Sequence, residues 1–356
     1  MDQFQSQLSH FIEHAPDFFK DGSIPAVDEK HQRIINSAYD LLNAGFTIDQ
    51  LRNWAGQTDM GVHHRYTSLS GAAIGDTEGK TGAGRWMGSL GEKITARLQH
   101  LFGFSMMLDD ISILEMVGGK KFLQENPQSA TPGATPFPPV KGYSVTPRWI
   151  RYLYLLTQIH NRSLLKPGDV WVDVGSFYGG VQGLVKKYYP QSRIVLVDFH
   201  HQLLRSYVYL QTQFPESAHI MPSEIDQYTD LHQLPENAFL YVPVTSFDKI
   251  AGMKANLVSN FFSLGEMRRE HFEQYMNSSL FRNADKMYLV NRFVSSPFFE
   301  KTYDTDINVR DYLAPGKEVS YFDIFPVNHY QIIRRKLFGR TFFRNTSSSY
   351  FELIYG

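Results

Sequence analysis

The chain has 356 residues, 42% of them apolar and 14% aromatic, with 35 basic against 36 acidic side chains and a net charge of −1. That length allows about two domains and a sizeable core, and the balanced charge disfavours a protein that coats a polyanion. Cysteine is absent, which excludes disulfide and thiolate chemistry; with no apolar run near the ~18 residues of a membrane span and a start unlike a signal peptide, a cytoplasmic protein is expected.

Residues 1 to about 125 read as helical. Phe4, Leu8, Phe11 and Ile12 form one apolar stripe at helical spacing, and Ile34, Ile35, Ala38, Leu41 and Leu42 form a second. A third helix over 48–54 follows Thr47 as its N-cap. Seven glycines between positions 70 and 91 are too many for a helix interior, so that stretch reads as loop or cover. Within it Gly75, Gly79, Lys80 and Thr81 imitate a phosphate loop, but the spacing is one residue short and no strand precedes it. Helices resume over 92–101 and 111–124. Six prolines between 127 and 147 mark a semi-rigid linker. Thr146 and Pro147 then open a helix by cap and first-turn chemistry. Its stripe of Trp149, Tyr152, Leu153, Leu156 and Ile159 should pack on a sheet.

The next stretch organises the chain. Residues 170–174 are apolar and rich in β-branched side chains, and read as a buried strand. Gly175, Gly179 and Gly180 let the backbone turn tightly there, lacking a Cβ to collide. A helix over 181–189 follows, stopped by Pro190. A second buried strand, 194–197, ends on Asp198, about 20 residues past the glycine turn, as a nucleotide-binding βαβ unit requires. Asp198 is read as the acid for the two ribose hydroxyls of an adenosine, with a helix N-cap as the plainer alternative.

The sign of the charge selects among adenosines. Asp173 lies two residues before the first glycine, where it would repel a pyrophosphate but suit an ammonium and a sulfonium. Phe177 also stands where a dinucleotide fingerprint needs its second glycine. Both observations favour S-adenosylmethionine over NAD, with capping of the glycine turn as a second role open to Asp173.

Beyond Asp198, a helix over 203–214 covers the sheet. Strands follow over 239–244 and 255–259, with Asn260 at the tip of the latter. A helix over 266–280 and a strand over 286–290 continue the parallel α/β pattern. Residues 320–326 and 348–355 lack an intervening helix and read as a terminal antiparallel hairpin on the sheet. Ligands of open α/β sheets bind beyond the carboxyl ends of the strands, so Gly175, Asp198, Thr245, Ser246, Asn260 and Phe261 should converge on one crevice.

At these residues the chain resembles a known group. Asp173-x-Gly175-x-x-x-Gly179 looks like motif I of the class I, seven-strand S-adenosylmethionine-dependent methyltransferases. The run from Asn260 to Met267, the helix through Tyr275 and the strand ending at Asn291 resemble the sugar O-methyltransferase family, the likeness spanning roughly 143–295. It implies a Rossmann-like, doubly wound sheet over 148–356, a proline-rich linker over 127–147, and a helical region over 1–126 that acts as a lid or pairs two subunits. The implied activity is methylation of a hydroxyl on a sugar or sugar-containing small molecule; an N-methyltransferase acting on an amino sugar would look the same, and a nicotinamide-dependent oxidoreductase is the rival of another class.

The donor candidates are therefore Asp173, Gly175, Ser176, Phe177, Gly179, Asp198, Phe199, Thr245, Ser246, Asn260 and Phe261, the two non-tyrosine strand-end rings Phe199 and Phe261 being equally open to core packing. For the general base Glu266 comes first, with His271 and His200 as alternatives; an acid in a first helical turn also simply favours the dipole. Tyr143, Arg148, His201 and Arg292 are the candidate acceptor contacts. No metal is expected, because Glu270-His271 has no partner histidine at helical spacing and the pairs His63-His64 and His200-His201 do not share a helix face. The tail from Arg334 to Arg344 is basic and reads as a solvated loop, or as a grip on an anionic acceptor. The expected partner is a small molecule rather than nucleic acid or membrane, with a homo-oligomer left open.

Overall fold

The computed structural model describes residues 3–16, 18, 36, 40, 107–134, 139–294, 307–327, 336–337, 340–341 and 350–356. The stripe at Ile34, Ile35, Ala38, Leu41 and Leu42, the helices expected over 48–54 and 92–101, and the glycine-rich stretch at 70–91 lie outside the described residues.

Five parallel strands, β1 (Val170–Val174), β2 (Arg193–Asp198), β3 (His219–Ile220), β4 (Phe239–Pro243) and β5 (Leu257–Phe261), are joined by a sixth, β6 (Lys286–Arg292). After β7 (Val319–Ile324) comes a separate ribbon of β8 (Lys336–Leu337) and β9 (Arg340–Thr341), and the final strand β10 (Tyr350–Tyr355) inserts antiparallel between β6 and β7. The sheet runs β3-β4-β2-β1-β5-β6-β10-β7. Without the two-residue edge strand this is the doubly wound, seven-strand methyltransferase order, with its switch point between β1 and β5. The terminal antiparallel hairpin is present.

The central strands are buried on both faces, which is why they read as unbroken apolar runs rather than alternating ones. Val170, Val172 and Val174 enter one core with Val195 and Val197, while Trp171 enters the other with Ile194 and Leu196. Asp173 shares the Trp171 face and breaks the apolar pattern there. On that face lie α1 (Gln3–Glu13), α2 (Lys120–Glu125), α3 (Pro147–Asn161), α4 (Gly180–Tyr188) and α5 (His200–Gln213). Thr146 caps α3 as expected, its hydroxyl accepting from Trp149 N at 3.3 Å. α1 packs on α5, with the Phe11 ring 5.5 Å from that of Tyr207. The opposite face carries α6 (Arg269–Asn277) and α7 (Ser279–Arg282).

Several boundaries differ from expectation. The single helix expected over 111–124 is broken: helix covers 107–116, Gly118 takes φ +89°, and α2 starts after Gly119. A Cβ on Gly119 would lie 2.3 Å from Leu114 and 2.8 Å from Thr157, so this turn packs too closely on α3 for a side chain. The helix expected over 266–280 is instead a 3-10 turn, Leu264–Glu266, followed by α6 and α7, because Ser278 recaps the chain with a bond from Phe281 N at 3.3 Å. β5 ends two residues later than expected, and β3 is too short to show a period.

His219 in β3 is stacked on Phe239 at 5.3 Å, its Nδ1 2.8 Å from the Tyr241 hydroxyl and its Nε2 3.0 Å from the Phe214 carbonyl. A carbonyl only accepts, so Nε2 carries the proton and Nδ1 accepts from the tyrosine. Burial pushes the imidazole down to about 4. Between that value and the unfolded ~6.5 the unfolded chain binds a proton that the native one refuses, so stability falls as pH drops through this window, by roughly 2–3 kcal/mol. Urea unfolding at pH 6.5 and 4.5 should show this, and His219→Gln should flatten the slope by about one proton; parallel curves would refute it.

Candidate functional site

The turn after β1 and the tip of β2 are tied together by hydrogen bonds. Gly175, at φ +82°, donates its N–H to the Val197 carbonyl at 2.8 Å. Phe177, itself at φ +56°, donates its N–H to Asp198 Oδ2 at 2.8 Å, and Phe199 N–H reaches Asp198 Oδ1 at 2.8 Å. Gly179, at φ +85°, is the N-cap of α4. The buried Ser176 hydroxyl has no hydrogen-bond partner among the described residues. Glycine is required at 175 for space as well as for φ: a Cβ there would lie 2.1 Å from Ser263 Oγ.

Asp173 lies beneath this turn and is fully buried. Its oxygens accept from Ser259 Oγ and Gln182 Nε2, and the Ser259 hydroxyl is in turn fixed by Trp171 Nε1 at 2.8 Å. Burial pushes the carboxyl up to about 8; the Ser259 bond opposes this, the Asp198 charge adds to it, and the Gln182 bond opposes it again.

β4 delivers Thr245, exposed, and Ser246, half-buried, in the 3-10 turn Val244–Lys249 just beyond Pro243, the register partner of Asp198. Two expected donor contacts are engaged within the protein. Asn260 is inside β5, and its amide is spent as a clamp: Nδ2 donates to the Val174 carbonyl at 2.6 Å and to Ser263, while Oδ1 accepts from Leu264 N at 2.9 Å and Asn291 Nδ2 at 3.0 Å. A buried amide must be satisfied, and here the protein alone does it. Phe261 is buried edge-on against Tyr288 at 5.0 Å, and Phe262, at φ +73°, takes the tip position instead.

Glu266 is corrected from a first-turn helix position to the 3-10 turn, where Oε1 meets Arg292 Nη2 at 2.9 Å. The Asn260 and Asn291 side chains hold this turn through Leu264 N and Gly265 N. His271 is half-buried on α6. His200 is wholly buried, 5.8 Å from the Phe18 ring, and His201 stacks on Phe199 at 5.9 Å, so neither occupies an open position. Tyr143 is drawn elsewhere, its hydroxyl donating to Glu115 at 3.0 Å, a carboxylate also paired with Lys141 at 3.1 Å.

Sequence reasoning missed Gln182, Ser259, Arg151, Arg205, Phe262 and Tyr350. Arg151 was the most legible of these, three residues after Arg148 and thus on its helix face. A cavity of about 150 Å³ lined by Arg269, Phe272, Met276 and Asp311 shares no residue with the glycine turn. Among the described residues no group of three His, Asp or Glu is placed to hold a metal ion, and no helix is long and apolar enough to cross a membrane.

The strand order is that of a Rossmann-like, doubly wound sheet. No family model and no curated protein matches the chain. Among solved structures it is similar to a candidate methyltransferase of Bacillus halodurans (10% identity, TM-score 0.35, 56% of this chain and 96% of that one). It is similar also to coclaurine N-methyltransferase bound to N-methylheliamine and SAH (10%, 0.35, 51% and 52%). A third is magnesium protoporphyrin IX methyltransferase of Synechocystis with bound SAH (11%, 0.34, 58% and 83%). The fold assignment stands on the strand order and not on these scores.

Proposed function

We propose that this chain is an S-adenosylmethionine-dependent methyltransferase that methylates a hydroxyl of a sugar or sugar-containing small molecule. The carrying observation is the meeting of a glycine turn on β1 with a carboxylate at the tip of β2, joined by the 2.8 Å bond from Phe177 to Asp198.

The residues fit the donor. We assign the Asp198 carboxylate, set by its bonds from Phe177 N and Phe199 N, to the two ribose hydroxyls. The bare face of Gly175 gives room at the turn, and Asp173 beneath it favours a cation where a pyrophosphate would be repelled. Phe199, Thr245 and Ser246 border the adenosine side. The sugar class is supported by the family resemblance around Asn260 to Met267, and the region 1–126 is assigned to cover the acceptor or pair two subunits.

When bound, S-adenosylmethionine supplies an electrophilic methyl group on a positively charged sulfur. The protein's own part is to hold the acceptor oxygen in line, an effect worth about 7–11 kcal/mol. We assign Glu266 to take the hydroxyl proton: Oε1 is held by Arg292, and Oε2 is left for the acceptor. Such a base adds about 10²–10⁴ in rate.

Calorimetry with S-adenosylhomocysteine and with NAD tests the class, saturable binding of the former alone being expected and binding of NAD alone refuting it. Methyl transfer from labelled donor to a panel of sugars and glycosylated metabolites then identifies the acceptor. On it, Glu266→Gln should lower turnover about hundredfold with donor affinity kept; normal turnover removes Glu266 as the base.

A further inference from the structure

Four guanidinium groups run past the carboxyl ends of the strands, each laid against an aromatic ring. Arg205, fully buried on α5, and Arg148, at the start of α3, both lie on Phe177, with Cζ 4.7 and 4.3 Å from the ring centre. One turn along α3, Arg151 Cζ is 4.2 Å from the centre of Phe262 and 5.9 Å from that of Tyr350. Arg292 completes the row at the end of β6, Cζ 5.5 Å from the Tyr350 ring and Nε 3.2 Å from the Tyr350 hydroxyl. The rings belong to the loops after β1 and β5 and to the start of β10, so the row crosses the switch point itself.

Burying guanidinium groups close to one another is costly. Burial first, and then the neighbouring charge of Arg148, lower the Arg205 guanidinium to about 9. Glu266 pairs with Arg292, and the Asp198 charge offsets part of the cost of burying Arg205. Arg148 Nε and Arg292 Nη1 are buried with no hydrogen-bond partner among the described residues. A buried donor left unpaired costs about 1–3 kcal/mol, so two of them in one row call for an acceptor. The ring contacts hold each planar fork in place, which is the preorganisation that bidentate capture of an oxyanion needs.

We infer that this row binds an oxyanion on the methyl acceptor, a phosphate ester or a carboxylate, so that the substrate is an acidic sugar derivative and not a neutral one. The inference rests on the methyltransferase reading and deepens it. The recessed setting, with Arg205 fully buried, suits a small anion better than a phosphodiester chain, which needs an open groove.

The test is calorimetry on the full chain, with and without S-adenosylhomocysteine, using glucose 6-phosphate, glucuronate and neutral methyl glucoside at one ionic strength. One of the two anions should bind at least about tenfold more tightly than the neutral sugar, and which one distinguishes phosphate from carboxylate. Arg148→Gln and Arg292→Gln should each weaken that binding about tenfold, with Arg148→Lys falling between because a point charge cannot bind bidentately. Equal affinity for the neutral sugar, no anion binding up to about 5 mM, or variants that bind the anion unchanged would each overturn the inference. So would a short RNA oligonucleotide that binds more tightly than either sugar anion. Anion binding without any binding of S-adenosylhomocysteine would refute the donor reading and leave the oxyanion row standing.

Discussion

Gly175→Ala is expected to abolish most donor binding and to lower the melting temperature by roughly 5 °C. Two effects add. An L-residue at φ +82° costs about 1–2 kcal/mol, and the new Cβ would sit 2.1 Å from Ser263 Oγ and 2.7 Å from Ser263 Cβ. Ser263 cannot simply swing aside, because Asn260 Nδ2 donates to its hydroxyl and the whole 3-10 turn follows from that clamp. The displaced backbone is the same stretch that brings Phe177 N–H to Asp198, so the strain is delivered to that carboxylate. Thermal unfolding and calorimetry with S-adenosylhomocysteine check it. Adding Ser263→Gly should recover the steric part and leave the φ penalty; a single variant that melts and binds as the native chain does would show the turn to be dispensable.

Asp198→Ala should weaken S-adenosylhomocysteine binding at least tenfold, and about hundredfold if both ribose hydroxyls use the carboxylate, since each hydrogen bond to a charged group contributes about 1.5–3 kcal/mol. The same change also frees the N–H groups of Phe177 and Phe199. Asp198→Asn separates the two effects, retaining one acceptor oxygen for the backbone while removing the charge. Circular dichroism should show an intact fold in both. Unchanged donor affinity would place the ribose acid elsewhere.

What could be seen in the sequence was whatever is encoded locally. The Gly175 turn, Asp198 and the cap at Thr146 are short-range signals, and the structure puts Gly175 and Asp198 side by side. The end of β5 was misplaced because an apolar run does not mark its own end; the strand extends two residues further, which moves its tip onto Phe262. Glu266 was read as the first residue of a helix, whereas side chains from β5 and β6, remote in sequence, tie it into a 3-10 turn. Gln182 and Arg205 were invisible for a related reason. They are polar residues on the buried faces of α4 and α5, and no periodicity distinguishes an inward polar side chain that has a task from one that has none.

Asp173 gives the site one further property. Near neutrality its burial favours the neutral, protonated carboxyl, so the charge that would attract a cation develops only when that proton leaves. A cationic amino acid seated above it would drive that hydrogen into the solvent, leaving the interior no more charged than before. On the proposed donor reading, cation and proton compete for this one carboxylate, and calorimetry should show affinity for S-adenosylhomocysteine falling by up to about tenfold for each pH unit below 8.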